Sequence, residues 1–366
     1  MPDAATRAGY RPVVGDVLDN RLRSSRVFFY HYAILIFLCA GWWRILRRSG
    51  FSLFPRKPLT KTEIRNYTYE FYLYTAPLVV YEFAGAVISI LERWLLQWFG
   101  GSAEQGFYGL SYKISVIVFM FTSALTPLLT REFAKAYGER NPAQLRYLFR
   151  RYIPLLYTVA AYLAVFVALQ AGKIGTLLGG REFQQAGPAI AIMAFYPLHQ
   201  TYGQLTDALY YATGRTRLYV VLGIVIMAAG LPITWIFLAP PAWLGLGWGS
   251  TGLAWRMVLV QILAVNLKHW FNTRFLGLPY STFLAHQIYS VLLLAGVGGL
   301  SVAVTDWMIP GDWLAFLACG VLYTAACAAL VWMWPAFLFL TRDDLTAMER
   351  EMRARLLRLW STRLNR

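Results

Sequence analysis

Ionisable side chains inside long apolar stretches are the residues of this sequence that are best placed to do chemistry. Lys113 and Arg256 each lie about 9 Å from the start of an apolar stretch, at a helical rise of about 1.5 Å per residue. Two cations at one depth favour a cavity for an anionic ligand, since arginine can hold a phosphate through its planar fork. Two alternatives stay open: both side chains extend to the nearest polar surface, or Lys113 pairs with Glu82.

Further ionisable residues stand in or beside the same kind of stretch. Glu82 lies just beyond the middle of one stretch, and Glu92 and Arg93 close it, either as an interfacial anchor or as part of a cavity. His199 is better explained as a hydrogen-bonded core histidine than as a proton relay. A charge at the centre of a bilayer costs about 2.5–3.5 kcal/mol on the mildest scale. We therefore take these residues, with the two cations above, as the candidate substrate-binding set.

The familiar signatures of enzymes and cofactor sites are absent from the sequence. It has no CxxC, no HExxH, no P-loop and no GxGxxG followed by a ribose-binding acid. Three cysteines, Cys39, Cys319 and Cys327, exclude a disulfide scaffold. The last two lie about 12 Å apart along one helix, too far to bridge. We therefore expect no catalytic residue, no metal and no cofactor, and we do not expect an enzyme.

The composition indicates the elements that must position these side chains. Of 366 residues, 58% are hydrophobic and 14% are charged, whereas an average soluble domain has about 25% charged residues. The mean hydropathy is +0.47. Such a chain cannot cover a water-facing surface of its own, so the sequence predicts an all-α, polytopic bundle of membrane helices.

Nine stretches are long enough to cross a bilayer, whose core of about 30 Å needs about 20 apolar residues per helix. The first is the weakest prediction of the nine, because His31 and several aromatic residues dilute it and Arg44 lies near its end. The last contains Pro335, so its final turns are expected to kink or to leave the membrane. The predicted spans are 28–46, 70–91, 107–129, 153–171, 187–211, 217–238, 250–271, 284–304 and 312–340.

Basic residues are distributed unevenly over the loops between these spans. One set of alternating loops, together with the C-terminal segment, holds 24 lysines and arginines, and the other set holds 3. The positive-inside rule places the 24 in the cytoplasm. The net charge of +16, which in a soluble protein would point to nucleic acid, is therefore an orientation signal and a source of contact with anionic lipid.

Both ends of the chain are also basic, and each bears on the topology. With nine spans and a cytoplasmic C-terminus, residues 1–27 lie outside, although this tail carries five arginines. Either 28–46 does not cross the membrane, or the tail is not where the topology normally begins. Residues 341–366 place apolar and basic side chains on different faces at helical spacing, which predicts an amphipathic cytoplasmic helix on the anionic lipid bilayer.

The order of several short motifs resembles a known family. A helix that ends in ERWLL at 92–96 is followed by GFY at 106–108, and a second helix leads to a basic loop with Asn141-Pro142. Further on, GGREF at 179–183 precedes a helix that ends in YATGRT at 211–216. This order resembles the second half of bacterial polysaccharide-export flippases, the Wzx-like branch of the multidrug/oligosaccharidyl-lipid/polysaccharide exporter superfamily. The resemblance covers about residues 60 to 350, and family members often carry Asp where this chain has Glu92.

The resemblance implies two six-helix lobes that face a common cavity, sometimes followed by two extra helices. A sixth helix of a first lobe enters from outside, which accounts for the position of the N-terminal tail. Because five helices of a first lobe are missing, we expect that the chain alone does not form a closed transport path. The implied parts are a basic N-terminal tail (1–27), a single helix of a first lobe (28–46), a basic cytoplasmic linker (47–69), a six-helix second lobe (70–271), two additional helices (284–340) and an amphipathic cytoplasmic tail (341–366).

By the same resemblance, the chain is expected to be a transporter of the bacterial inner (plasma) membrane. It would move polyprenyl-pyrophosphate-linked oligosaccharide for O-antigen, capsule or exopolysaccharide biosynthesis. Its partners would be that lipid-linked oligosaccharide, the anionic bilayer, and other polysaccharide-export proteins or a separate first lobe. Two alternatives stay open. A membrane polysaccharide polymerase or ligase would expose a large arginine-bearing outer loop, and a cation-coupled drug exporter would line its core with acids such as Glu82 and Asp207.

Overall fold

A computed structural model describes residues 14–48 and 59–339, together with positions 342, 343, 346 and 350. All regular structure in this part of the chain is helical, which confirms the all-α prediction. The chain divides after Phe71 into two compact units. The helices are α1 (Val14–Arg48), α2 (Lys61–Ser123), α3 (Thr126–Gly138), α4 (Pro142–Leu169), α5 (Ala171–Gly179), α6 (Gly187–Met193), α7 (Phe195–Ala212), α8 (Thr216–Leu238), α9 (Gly249–Leu276), α10 (Tyr280–Met308) and α11 (Asp312–Met333).

Six of the described helices are long and apolar enough to cross a membrane. They support a multi-pass membrane protein, while the count of nine spans stays a prediction. Helix α1 covers the predicted span 28–46 and also begins inside the predicted tail, but it is not among the six. The six candidate spans are Lys61–Met120, Pro142–Leu169, Thr216–Leu238, Gly249–Leu276, Tyr280–Met308 and Trp313–Met333.

Helix α2 contains the predicted span 70–91 and residues 107–123 of the predicted span 107–129, which is interrupted by a turn at 124–125 before α3 begins. It begins after a capping box, in which Thr60 N donates to Glu63 Oε2 at 2.8 Å and Glu63 N donates to Thr60 Oγ1 at 3.3 Å; this satisfies two free backbone donors. The helical conformation is interrupted at Gly101, where φ is +77°. That backbone region favours glycine, so Gly101 is the point at which α2 changes direction between its two apolar halves.

The predicted span 187–211 is divided into α6 and α7 at Ala194. Pro197 has no backbone N–H, so it cannot bond the carbonyl of Met193 one turn earlier. The hydroxyl of Ser115, in the second half of α2, donates to that carbonyl at 2.8 Å. A side chain from a neighbouring helix therefore satisfies the acceptor that the proline leaves free.

Helix α11 ends at Met333, before Pro335, as the sequence led us to expect for the last span. A short 3-10 turn over Pro335–Leu338 follows. Both Cys319 and Cys327 are buried on α11 as free thiols. The predicted amphipathic tail 341–366 lies outside the described residues, apart from the four positions named above.

The buried core of the second unit forms where α7 packs against α3, α4 and α9. Its largest fully buried side chains include Phe149 and Tyr157 on α4 and Tyr202 on α7. The outward faces are also apolar: Leu292 and Leu300 on α10 and Val321 on α11 are 67%, 70% and 72% exposed. Exposed apolar surface on this scale is unfavourable in water but suits lipid, which supports the membrane assignment.

Side-chain contacts fix the rotation of α9 about its own axis. Asn266 Oδ1 accepts hydrogen bonds from Tyr280 Oη at 3.0 Å and from Gln287 Nε2 at 2.9 Å. Three residues further along, His269 is fully buried, and its Nε2 lies 3.2 Å from the hydroxyl of Tyr202. These contacts hold one face of α9 against its neighbours. The opposite face is thereby turned toward the cavity described next.

Candidate functional site

A cavity of about 1030 Å³ lies between α2, α3, α7, α8 and α9 in the unit that follows Phe71. Its wall holds four cations and three carboxylates, a net charge of +1. The wall also carries tyrosines, glutamines and threonines, so many polar groups face the cavity together with apolar side chains. The charged wall residues are Glu82, Glu92, Arg93, Arg131, Asp207, Arg256 and Lys268.

Toward one end of the cavity, Glu92 of α2 forms a buried ion pair with Arg256 of α9. The contact joins Glu92 Oε1 to a terminal guanidinium nitrogen, and the side chains are 6% and 8% exposed. Thr234 of α8 donates to the same carboxylate oxygen at 3.5 Å. Because a buried charge is costly without its partner, this pair ties α2, α8 and α9 together at one point of the wall.

Gly230 of α8 leaves the space that the Arg256 guanidinium occupies. A Cβ atom at Gly230 would lie 2.7 Å from a terminal nitrogen of Arg256, closer than side chains tolerate. We expect Gly230→Val to push Arg256 off Glu92 and to lower the free energy of unfolding by about 1–3 kcal/mol. Thermal unfolding of the purified protein in detergent measures this. Ala229→Val, at the exposed neighbouring position, is the control, and an equal loss in both variants would refute the assignment.

A second ion pair lies further along α9. Lys268 Nζ is 3.2 Å from Asp207 Oδ1 on α7, and the two side chains are 7% and 14% exposed. The same ammonium lies 4.2 Å from the centre of the Tyr219 ring on α8, a favourable cation–π contact. Tyr210 Oη donates to the Lys268 backbone carbonyl at 2.8 Å. The lysine is therefore held by three side chains from α7 and α8.

Between the two ion pairs the wall is neutral and rich in amides. Gln261 Nε2 of α9 donates to Gln200 Oε1 of α7 at 2.8 Å, and Thr126 Oγ1 of α3 donates to Gln204 Oε1 at 3.3 Å. Gly203 permits the close approach, since a Cβ there would lie 3.3 Å from Gln261 Nε2. We call Gln200, Gln204 and Gln261 the amide band. The named contacts use one end of each amide, and an amide has donors at one end and an acceptor at the other.

Three charged wall residues are exposed to the cavity or its mouth: Glu82, Arg93 and Arg131. The Arg93 guanidinium lies 5.2 Å from the centre of the Tyr112 ring. Among the described residues, none of the three forms an ion pair. They are the charges of the wall that remain open to a ligand.

Four of the six sequence-predicted site residues come together on this wall: Glu82, Glu92, Arg93 and Arg256. They are drawn from α2 and α9, which are far apart in the sequence. Their role in substrate binding stays a prediction. The structure adds that Arg256 is neutralised by Glu92, so it is a fixed part of the wall rather than a free cation.

Lys113, which the sequence predicted to share a cavity with Arg256, is not among the residues that line this cavity. Lys113 is exposed and does not line the cavity, whereas its neighbours Tyr108 and Tyr112 do. Successive helical residues are about 100° apart around the axis. Because Tyr112 points toward the cavity, Lys113 points away from its wall. Among the described residues no ion pair joins Lys113 to Glu82, and extension of Lys113 to a polar surface stays a prediction.

His199 is a core residue that does not line the cavity. It is 7% exposed, and its ring centre lies 6.1 Å from that of Tyr157 on α4. Its Nδ1 makes no hydrogen bond with the described residues, so the predicted hydrogen bonding is absent at this atom. The adjacent Gln200 faces the cavity instead.

Sequence reasoning missed the polar stripe on α7 that forms one side of the wall. Tyr196, Gln200, Gln204, Asp207 and Tyr211 all line the cavity and follow one another at intervals of 4, 4, 3 and 4 residues. That spacing puts them on one face of a helix. The spacing is visible in the sequence, but of these five residues only Asp207 is predicted from its charge.

No group of three or more His, Cys, Asp or Glu side chains in the described residues is arranged to hold a metal ion. No protein-family model matches the sequence, and no curated protein matches it. The chain's function is therefore inferred from the cavity, whose wall holds two ion pairs and three further charges that form no ion pair within the described residues.

Proposed function

We propose that this chain is a membrane transporter that moves a polyprenyl-pyrophosphate-linked oligosaccharide from the inner to the outer leaflet of a bacterial inner membrane. The observation that carries the proposal is the cavity of about 1030 Å³ between largely apolar helices, with charged and polar side chains on its wall. Such a chamber suits a ligand with a large polar head and a long apolar tail. The head occupies the cavity while the tail stays in lipid, where the outer helix faces are apolar.

The ionisable residues of the wall support a transport role over a purely structural one. Charges within membrane segments are costly and mark substrate or ion pathways when they face a cavity. Two ion pairs and three further charges face this one cavity. Under this proposal the chain has nine spans: one helix of a first lobe, a six-helix second lobe and two additional helices.

The proposed orientation predicts which loops can be labelled from outside the cell. We expect Leu244→Cys, in the loop after α8, to react with an impermeant thiol reagent on intact cells, because Leu244 is 91% exposed and the loop has no basic residue. Arg140→Cys, in the basic loop after α3, should react only after lysis. Both are made with Cys39→Ser, since Cys39 is exposed whereas the other two cysteines are buried. Labelling of Arg140→Cys on intact cells would reverse the topology.

Loss of the gene tests the proposed function in the cell that carries it. We expect surface polysaccharide to disappear and lipid-linked repeat units to accumulate in the inner leaflet. In spheroplasts those units should be resistant to an added glycosidase, and the wild-type gene should restore access. Normal surface polysaccharide in the deletion strain would overturn the proposal.

A polysaccharide polymerase or ligase would give a different result in the same experiment. Without a polymerase, single repeat units still reach the outer leaflet and are cleaved by the added glycosidase. The loops at the proposed outer end are short: the connection between α8 and α9 covers about ten residues of the described chain. They leave little room for the large arginine-bearing loop that such an enzyme would need.

A cation-coupled drug exporter is the second candidate function. The observation in its favour is that three carboxylates, Glu82, Glu92 and Asp207, line the cavity. Two of them are already paired with basic side chains, which leaves only Glu82 for a cationic drug. Increased sensitivity of the deletion strain to cationic dyes, with normal surface polysaccharide, would favour this alternative.

A further inference from the structure

The charges of the cavity wall are arranged so that its middle is neutral. Arg256 and Lys268 lie about 18 Å apart along α9, at about 1.5 Å per residue, and each is paired with a carboxylate. Gln261 lies between them on the same helix and faces the cavity. The two internal cations are thus compensated, and neither is free to bind an anionic group in the central part of the cavity.

The amide band offers hydrogen bonds of both kinds at that central position. Each glutamine carries two donors at one end of its amide and an acceptor at the other, and the contacts within the wall occupy one end. Tyrosine side chains add apolar ring surface: Tyr81, Tyr112, Tyr196, Tyr211 and Tyr219 all line the cavity. Paired donors and acceptors next to aromatic rings match the hydroxyl groups and apolar faces of an uncharged sugar.

We infer that the cavity selects a neutral glycan: the amide band binds uncharged sugar residues, and acidic sugars such as uronic acids are disfavoured. An acidic sugar at the amide band would lose its water without gaining a free cation from α9, because Arg256 and Lys268 are each already paired with a carboxylate. Burying a charge without a partner is unfavourable. This inference rests on the proposed function, and it adds the charge class of the glycan.

The pyrophosphate that joins the lipid to the sugar can be bound by the wall arginines that form no ion pair. Arg93 and Arg131 line the cavity, and neither forms an ion pair with a described residue. Arginine is suited to a pyrophosphate because its planar fork binds two oxygens together. The pyrophosphate is therefore bound by charged side chains, and the sugar is bound separately by the neutral amide band.

The test compares two ligands that differ only in the charge of the sugar. Farnesyl pyrophosphate carrying glucose is titrated against the purified full chain in detergent micelles, and binding is followed by tryptophan fluorescence. The same lipid carrying glucuronic acid, and the lipid pyrophosphate without sugar, are titrated in parallel. We expect the glucose ligand to bind at least about tenfold more tightly than the glucuronic acid ligand and more tightly than the sugar-free lipid.

If the amide band binds the sugar, a charge introduced into the band should change the preference for glucose over glucuronic acid. We expect Gln261→Lys to improve binding of the glucuronic acid ligand relative to the glucose ligand by about tenfold. Gln200→Leu should weaken glucose binding without changing the affinity for sugar-free lipid pyrophosphate. Circular dichroism and thermal unfolding verify that each variant is folded, and the wild-type comparison does not depend on either variant.

The outcomes separate this inference from the proposed function. Equal or tighter binding of the glucuronic acid ligand by the wild type overturns the neutral-glycan inference and leaves the proposed function standing. If neither sugar adds affinity over lipid pyrophosphate alone, the cavity does not recognise a glycan and the proposed function fails as well. A preference for glucose that persists unchanged in Gln261→Lys would place the sugar away from the amide band.

Discussion

Replacing Arg256 with alanine is expected to abolish export and to lower the free energy of unfolding by about 3–5 kcal/mol, because it leaves the buried carboxylate of Glu92 without its partner. Both side chains of this pair are less than one-tenth exposed, so solvent cannot compensate the lost contact. Thr234 remains as a weak donor at 3.5 Å. Arg256→Lys retains the charge but not the planar fork, so partial export is expected.

The double variant Glu92→Leu/Arg256→Met separates stability from function. Removing both charges together avoids an unpaired group, so thermal stability should return to near the wild-type value, while export should remain lost if the pair belongs to the transport machinery. Lys113→Ala is the matched control, since that lysine is exposed and lies off the cavity wall, and it should change neither property. Measurements are thermal unfolding in detergent and surface polysaccharide at equal membrane abundance. Wild-type stability of Arg256→Ala would contradict the buried pair.

Replacing Lys268 with alanine is the second large expected effect. It removes the partner of Asp207 and the cation that lies over the Tyr219 ring. We expect a loss of about 1–3 kcal/mol in the free energy of unfolding. This loss is smaller than for Arg256 because Asp207 is 14% exposed toward the cavity and can gain water. Export should fall about tenfold, since the wall acquires an uncompensated negative charge.

A compensating change at Asp207 tests this explanation. In Lys268→Ala/Asp207→Asn the unpaired carboxylate is gone, so the unfolding temperature should recover most of the loss of the single variant. Arg274→Ala is the control, because this exposed arginine is on the same helix and lies 5.5 Å from the Trp270 ring rather than in the cavity. If the double variant is no more stable than Lys268→Ala, the two side chains do not form the energetic pair that their 3.2 Å distance implies.

The order of helices could be predicted from the sequence because each one depends mostly on local residues. Apolar length and internal hydrogen bonding decide where a membrane helix forms, and Pro335 marked the end of the last one. Helix boundaries that are set by contacts between helices were harder to predict from the sequence. The break between α6 and α7 depends on Pro197 and on the hydroxyl of Ser115, which is almost eighty residues away in the chain.

The candidate site shows the same division between local and long-range information. The sequence by itself determined that this is an all-α chain of apolar helices, and it identified Glu82, Glu92, Arg93 and Arg256 as unusual charges within them. Only the tertiary structure decided that Arg256 pairs with Glu92 while Lys113 turns away from the cavity. Depth along a helix follows from a fixed rise per residue, so it can be counted. Rotation about the helix axis is set by packing against neighbours, as Asn266 and His269 show for α9, so the positions of Lys113 and Arg256 along their helices do not contain it.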